Sequence, residues 1–146
     1  MSIPRTLRHG AVLGSMLLLG AGAAALAAHP LKGKTYSGSV NGQYGGPVSF
    51  QVSGNGQRVK KLTVPAVRNC TGGPVSLAPK PTTASITSTG KFKTTVNLYF
   101  EGPSSVGTET ITGTFRKAGA ETGTLTSHYN GYAKHCDTTS AYATHA

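Results

Sequence analysis

The chain has 146 residues and a formal net charge of +10, with 14 Lys and Arg against four Asp and Glu. This length allows one domain with a modest core and excludes a second domain of ordinary size. With four acidic residues and no Trp, the chain has little material for paired-carboxylate catalysis, and Tyr and Phe are its only aromatic anchors.

The N-terminus, residues 1–28, has the pattern of a secretory signal peptide. Arg5 and Arg8 precede an uncharged apolar run from Ala11 to Leu26, which is shorter than the roughly 20 residues of a membrane-spanning helix. Small residues end the run, so we expect cleavage after Ala27 or Ala28; a retained anchor is the alternative. The mature chain would then be secreted or associated with the cell envelope, with no transmembrane segment and a net charge of +8.

Residues 32–146 are predicted to form a single all-β domain, because apolar residues alternate with polar ones and no helical period persists. Two strands come first, around Tyr36 and then around Phe50. The glycines between and after them supply the positive φ of tight turns. The segment Gly54-Asn55-Gly56 leads into another strand, whereas a phosphate-binding loop leads into a helix, so it is predicted to be a hairpin turn. The inward residues of these first strands are Tyr36, Gly38, Val40, Val48, Phe50 and Val52.

The next strand, Arg58 to Ala66, carries Leu62, Val64 and Ala66 on one face. Val59 is out of phase with that face, which predicts a bulge near Lys60-Lys61. The segment from Thr71 to Pro81 is rich in Gly and Pro, so we expect a long mobile excursion there. Only weak strands are predicted around it, at Val75–Leu77 and Ala84–Ser88.

The second half contains the strongest alternation, in Lys91 to Glu101. Two strands with outward threonines follow, and a last strand runs from Thr138 to Thr144. In that last strand we expect Ala141 and Ala143 inside and Tyr142 and Thr144 outside. The other predicted inward residues are Phe92, Thr94, Val96, Leu98, Phe100, Ile111, Gly113, Phe115, Gly123, Leu125 and Tyr129.

Seven or eight short strands joined by hairpin-length turns indicate an antiparallel meander that forms a small barrel or a sandwich. Inward glycines at 38, 113 and 123 fit tight curvature or close packing. Cys70 and Cys136 are the only cysteines, and an even pair in an exported chain predicts one disulfide.

Several short motifs together resemble a group of small exported all-β proteins of actinobacteria that carry a Cys pair. They are G-K-T-Y-S-G, V-S-F-Q-V-S-G-N-G-Q-R-V, the mid-chain Cys, K-F, I-T-G-T-F, G-T-L and C-D-T, spread over residues 33–146. The resemblance implies a fold and a compartment but no activity. One departure is Ala143, near the position where such proteins place a terminal aromatic residue.

No constellation of residues predicts catalysis, so we expect no enzyme activity and no cofactor. Glu101 and Glu109 flank one loop, as a glycosidase pair would, but solvated charges at strand ends explain them equally well. No GxSxG elbow accompanies the Ser, His and Asp residues. The histidine spacing near the C-terminus matches no zinc pattern, so no metal is predicted. That cluster comprises His128, His135, Cys136, Asp137 and His145.

The basic residues are the better candidates for function. Two strands each carry two outward cations, and Tyr99 shares the outward parity of one of them, so an anion-binding surface is predicted. Its residues are Arg58, Lys60, Lys91, Lys93 and Tyr99. Other basic residues are Lys61, Arg68, Arg116, Lys117 and Lys134.

Three functions therefore remain open from the sequence. The first is a non-enzymatic contact with a protein or an envelope component. The second is binding of an anionic polymer, whether a cell-wall polyanion, a nucleic acid or an acidic lipid surface. The third is a carrier that holds a small ligand inside a barrel. The partner's identity is left open.

Overall fold

A computed structural model describes residues 28–41, 45–65, 67–70, 73–76, 81–99, 103–130 and 137–146, and for 67–70 and 73–76 it describes the backbone alone. These residues form ten strands and one short 3₁₀ turn, and the described part of the chain contains no α-helix. The strands are β1 Thr35–Val40, β2 Pro47–Val52, β3 Arg58–Thr63, β4 Val67–Cys70, β5 Gly73–Ser76, β6 Thr82–Ser85, β7 Lys91–Tyr99, β8 Ser105–Phe115, β9 Ala120–Tyr129 and β10 Thr138–His145; the turn, η1, is Lys117–Gly119.

Eight of the strands form one antiparallel sheet in the order β6-β3-β2-β1-β10-β9-β8-β7. The first and last strands of the chain pair with each other, from Ser37 with His145 to Val40 with Tyr142. The two outer strands of the sheet, β6 and β7, meet through a bridge between Ile86 and Phe92. The prediction of an all-β antiparallel meander is confirmed, and the sheet curls into a nearly closed barrel.

The β4–β5 hairpin lies outside the barrel sheet, with Val67 opposite Ser76 and Cys70 opposite Gly73. Its second strand, β5, falls in the segment from Thr71 to Pro81, where an irregular excursion with a weak strand at Val75–Leu77 was expected. The two residues between Cys70 and Gly73 make a connection of hairpin length, which is why pairing is possible in a stretch with little alternation.

The predicted inward faces of the first strands are confirmed. Tyr36, Val48, Phe50 and Val52 are all at most 2% exposed. The bulge in β3 is also confirmed, since its register with β6 shifts between Val59 and Leu62. Both of these residues are buried, and the chain accommodates the extra residue with a positive φ of 53° at Lys61.

Aromatic rings fill the barrel interior where β1 and β7 begin and β2 and β8 end. The rings of Tyr36 and Phe50 stack with centroids 5.0 Å apart. Phe92 and Phe115 pack against Phe50 at 5.6 and 6.0 Å. Such pairs add roughly 0.5–1.5 kcal/mol each to the free energy of burial. This half of the interior is therefore occupied by the protein's own side chains.

The prediction of which face of the last strand points into the barrel was wrong. In β10, Tyr142 and Thr144 are buried, at 2% and 0% exposure, while Ala141 and Ala143 are exposed. Tyr142 lies opposite Gly123 of β9, where its ring occupies the space that a side chain at 123 would take. The Tyr142 hydroxyl donates to the Thr112 carbonyl oxygen at 2.9 Å. Burial of a large ring over a glycine outweighs the burial of two alanines.

Close packing at the inward glycines is confirmed. A Cβ on Gly38 would overlap the carbonyl of Ala143 on the paired strand, and one on Gly113 would overlap the ring of Phe92. Gly113 and Gly123 are themselves a cross-strand pair. Together they leave the room into which Phe92 and Tyr142 pack.

Candidate functional site

Basic side chains collect at one end of the barrel, called here the basic end. It is the end at which β1, β3, β7 and β9 begin and β2, β6, β8 and β10 end. Residues 28–33 lie across it, since Gly33 N donates to Ser53 O at 3.3 Å and Leu31 N donates to the Tyr36 hydroxyl at 3.0 Å. Six exposed basic residues occupy this end: Lys32, Lys34, Arg58, Lys91, Arg116 and Lys117.

None of the described acidic side chains is exposed at the basic end; Glu121, the second residue of β9, lies at this end but is buried in the barrel. Glu109 and Glu121 are buried inside the barrel with no exposed surface. Asp137 lies at the opposite end, where its Oδ2 is 2.7 Å from Nδ1 of His128. Among the described residues, no acidic side chain lies within 4 Å of the six cations to neutralise them. The basic end therefore presents unbalanced positive charge.

The structure brings together four of the five predicted anion-binding residues. Strand β6 lies between β3 and β7, and Arg58 pairs with Ser85 of β6. The bridge between Ile86 and Phe92 sets β7 beside the same strand. Arg58 and Lys60 on one side of β6, and Lys91 and Lys93 on the other, are all exposed, about two strand spacings or 10 Å apart.

Tyr99 does not join these four residues. It is half-buried at the far end of β7, eight residues from Lys91, which corresponds to about 26 Å along a strand. Tyr99 therefore cannot stack on a ligand that is bound by Lys91 and Lys93.

The sequence reasoning missed Lys32 and Lys34 and did not join Arg116 and Lys117 to the group. In a meander, alternate strands begin at the same end, so residues just before odd strands and just after even ones gather there. Counting strand starts and ends, together with face parity, would have found them.

A groove lies at the basic end between the turn at residues 53–57 and the turn at residues 86–88. Its volume is about 610 Å³. The backbone joins its two walls, since Ile86 N donates to Gln57 O at 2.8 Å. The lining residues are His29, Pro30, Lys32, Asn55, Gly56, Gln57, Ile86, Thr87 and Ser88. It combines one ammonium group with amides and hydroxyls, and none of these residues is acidic.

No protein-family model, curated protein or solved structure matches this chain.

The resemblance to small exported actinobacterial proteins stays a prediction, and the functional argument depends on the site itself. None of the described segments forms a helix long and apolar enough to cross a membrane.

The two buried carboxyls were not foreseen, because Glu109 was expected to be a solvated charge at a strand end. Strand β8 begins at Ser105, so Glu109 lies inside it on the same face as Ile111 and Gly113. The Ser127 hydroxyl donates to Glu109 Oε1 at 3.2 Å. Glu101, its proposed catalytic partner, lies outside the described residues.

Glu121 lies within hydrogen-bond reach of β10. The Thr144 hydroxyl donates to its Oε2 at 2.7 Å, while Oε1 accepts no hydrogen bond from a described residue. Burial raises the pKa of the Glu121 carboxyl from 4.5 to about 7, because the interactions with the Thr144 hydroxyl, the Tyr142 hydroxyl and the Thr114 backbone offset only part of the lost hydration. Burial and the neighbouring Glu121 charge also raise the pKa of Tyr142.

The predicted histidine cluster is not assembled. His128 and Asp137 meet at the end opposite the basic end, where Asp137 Oδ1 also accepts from Tyr129 N at 2.6 Å, whereas His145 ends β10 at the basic end. Within the described part of the chain, no three His, Cys, Asp or Glu side chains are placed to hold a metal. His135 and Cys136 lie outside the described residues, as does the side chain of Cys70, so the disulfide stays a prediction.

Proposed function

We propose that this protein is an exported, non-enzymatic β-barrel domain that acts at the cell envelope or outside the cell by binding an anionic polymer at its basic end. The observation that carries the proposal is the placement of six exposed cations at one barrel end with no acidic side chain of the described residues beside them. The acids that could neutralise them are turned into the barrel or placed at the far end.

Electrostatics favours a polymer over a small anion. Isolated exposed cations bind single anions weakly, but a row of them on a polyanion releases condensed counterions. Four to six such contacts give a slope of about −3 to −5 in log K against log salt concentration. The net charge of the mature chain, +8, would also speed the encounter with a negative partner.

Binding an anionic polymer is one form of the wider function predicted from the sequence, which is contact with an envelope component or a secreted partner. The carrier hypothesis has less support, because rings of Tyr36, Phe50, Phe92 and Phe115 occupy the interior next to the basic end. Export is proposed from residues 1–28, and with it a disulfide between Cys70 and Cys136.

The test is fluorescence anisotropy with a labelled heparin fragment and a labelled single-stranded DNA, titrated with protein from 20 to 300 mM NaCl. We expect binding at low salt with the slope given above. The double variant Arg58→Gln/Lys91→Gln removes two positive charges from the basic end. It should weaken binding at least tenfold and reduce the slope by between one and two.

The matched control changes the net charge by the same amount at the other end of the barrel. Asn97→Asp/Asn130→Asp adds two negative charges at exposed positions there. Equal losses for the two double variants would mean that net charge alone attracts the polymer, and the proposed site would be wrong. Absence of binding by the unmodified protein at 20 mM NaCl would reject the function itself.

A further inference from the structure

The groove at the basic end has walls that are held in place by the fold. Residues 28–33 form one side, where the Lys32 side chain packs beside Gly56, whose φ of +77° is the left-handed conformation that glycine favours. Pro30, which is buried, belongs to the same side of the groove. On the other side, Gly90 N donates to Thr87 O at 2.9 Å and closes the second turn.

Hydrogen bonds within the first turn orient its amide groups. Asn55 Oδ1 accepts from the Ser53 hydroxyl at 2.6 Å and from Gln57 N at 3.1 Å. Asn55 Nδ2 donates to Gln57 Oε1 at 3.0 Å. Asn55 Oδ1 therefore accepts two hydrogen bonds and Gln57 Oε1 accepts one, while N–H donors of both amides remain for a ligand.

The second wall adds hydroxyl groups. Thr87 Oγ1 accepts from Lys91 N at 3.1 Å and lies 2.9 Å from Thr89 Oγ1. Ser88 is exposed at the tip of the same turn. With Lys32, the groove thus surrounds one positive point charge with neutral hydrogen-bond donors and has no acidic side chain in its lining, a combination that suits an anion.

We propose that this groove binds one phosphodiester group of a phosphate-linked polyol or sugar polymer; the proposal rests on the proposed function and names its ligand. A tetrahedral phosphate accepts hydrogen bonds from several directions, which suits an ammonium group and scattered neutral donors. A planar carboxylate is bound best by the two-pronged guanidinium of Arg, and no Arg lines the groove.

The size and the apolar residues of the groove favour a polyol or sugar linker over a nucleotide. A volume of about 610 Å³ holds a small repeat unit. The half-buried side chain of Ile86 offers apolar contact for a carbon chain. Single-stranded nucleic acids bind mainly through stacking on aromatic rings, and Tyr36, Phe92 and Phe115 near this end are all buried.

The test compares three probes of equal charge, −1, by ¹H–¹⁵N NMR titration of the full-length protein. They are glycerophosphoglycerol, the methyl glycoside of galacturonic acid and the dinucleotide dTpdT. We expect glycerophosphoglycerol to shift the Gln57 side-chain amide and the backbone amides of Thr87 and Ser88 saturably. Its Kd should be at least about fivefold lower than those of the other two probes.

Two variants test the location. Gln57→Met keeps the side-chain length and removes the amide donors, and it should raise the Kd for glycerophosphoglycerol about tenfold. Gln51→Met makes the same change on β2 away from the groove and should have no effect. Equal responses of the two variants, or shifts confined to other residues, would overturn the groove as the site.

The remaining outcomes of these experiments distinguish a failure of this inference from a failure of the proposed function. Equal or tighter binding of the galacturonate would overturn the choice of phosphate, and tighter binding of dTpdT would replace the polyol polymer with a nucleic acid. If heparin binding remains sensitive to Arg58→Gln/Lys91→Gln while the groove tests fail, the proposed function stands and only this inference falls. If heparin and DNA both fail to bind, the proposed function itself is rejected.

Discussion

Thr144 donates a hydrogen bond of 2.7 Å from Oγ1 to Oε2 of Glu121, between the neighbouring strands β10 and β9. Both side chains are fully buried, and the second oxygen of the carboxyl accepts no hydrogen bond from a described residue. This hydrogen bond, with the weaker interactions of the Tyr142 hydroxyl and the Thr114 backbone, does not replace the hydration that a carboxylate loses on burial, so the neutral acid is favoured. This contact links the stability of the barrel to pH.

The first prediction is that the protein loses stability as pH rises from about 4.5 to about 7. The folded-state pKa of Glu121 is about 7 and the ordinary value is 4.5, so the native state holds this proton more tightly than the unfolded state. The contribution is complete below pH 4.5, falls through this window and is constant above it. The whole loss amounts to about 3 kcal/mol.

Glu121→Gln isolates this effect, because Gln keeps the shape and the acceptor for Thr144 but cannot ionise. Urea unfolding at pH 4.0 and pH 8.0 measures the two free energies of unfolding. We expect the variant to be more stable than the unmodified protein at pH 8.0, by up to about 3 kcal/mol, and similar at pH 4.0. A variant that is less stable at pH 8.0 would show that the ionised carboxylate is favoured instead.

The second prediction concerns Gly123, which lies under the ring of Tyr142. A Cβ there would overlap the Thr112 carbonyl oxygen, a backbone atom that cannot move aside easily. Gly123→Ala should destabilise the fold by at least about 2 kcal/mol or prevent folding. The control is Gly54→Ala, where no atom lies within 4 Å of the new Cβ and φ is not in the left-handed region, so stability should change by less than about 0.5 kcal/mol.

The third prediction concerns the Tyr142 hydroxyl. Tyr142→Phe keeps the ring over Gly123 and removes the donor to the Thr112 carbonyl, which costs about 1–2 kcal/mol in thermal or urea unfolding. Tyr99→Phe, at a half-buried position in β7, serves as the control and should change stability little. If the two variants behave alike, the buried hydrogen bond does not stabilise β10.

The fourth prediction concerns the cysteines. Exported protein should contain no free thiol by a thiol assay in denaturant. Cys70→Ser/Cys136→Ser should lose about 4 kcal/mol of stability, since the bridge closes a loop of roughly 67 residues. Two reactive thiols in the exported protein would contradict the disulfide.

Alternation in the sequence was enough to predict most of the strands and their buried faces. Val48, Phe50 and Val52 are separated by polar residues, and an antiparallel sheet with one wet face converts that period directly into burial. The bulge at Lys60-Lys61 was predictable for the same reason, because Val59 and Leu62 can both face inward only if the period is interrupted.

In the last strand, alternation was not enough to predict which face is buried. Alanines and threonines alternate there around Tyr142, so both parities offer some apolar burial, and composition alone does not choose between them. Gly123 on the neighbouring strand decides, because it leaves a space that only a large ring fills. Glu121 is buried for a related reason, since its parity in β9 is imposed by Gly123 and Leu125.

The sequence by itself determined an all-β chain, its turns, its positive charge and the outward direction of Arg58, Lys60, Lys91 and Lys93, because these depend on local periods of two residues and on turn chemistry. The tertiary structure alone decided that the cations gather at one end with a groove between two turns, and that two carboxyls lie inside. Those features depend on which strands become neighbours when the sheet closes. The pairing of β3 with β6 joins Arg58 to Ser85, residues that are distant in the sequence, and no local pattern contains that relation.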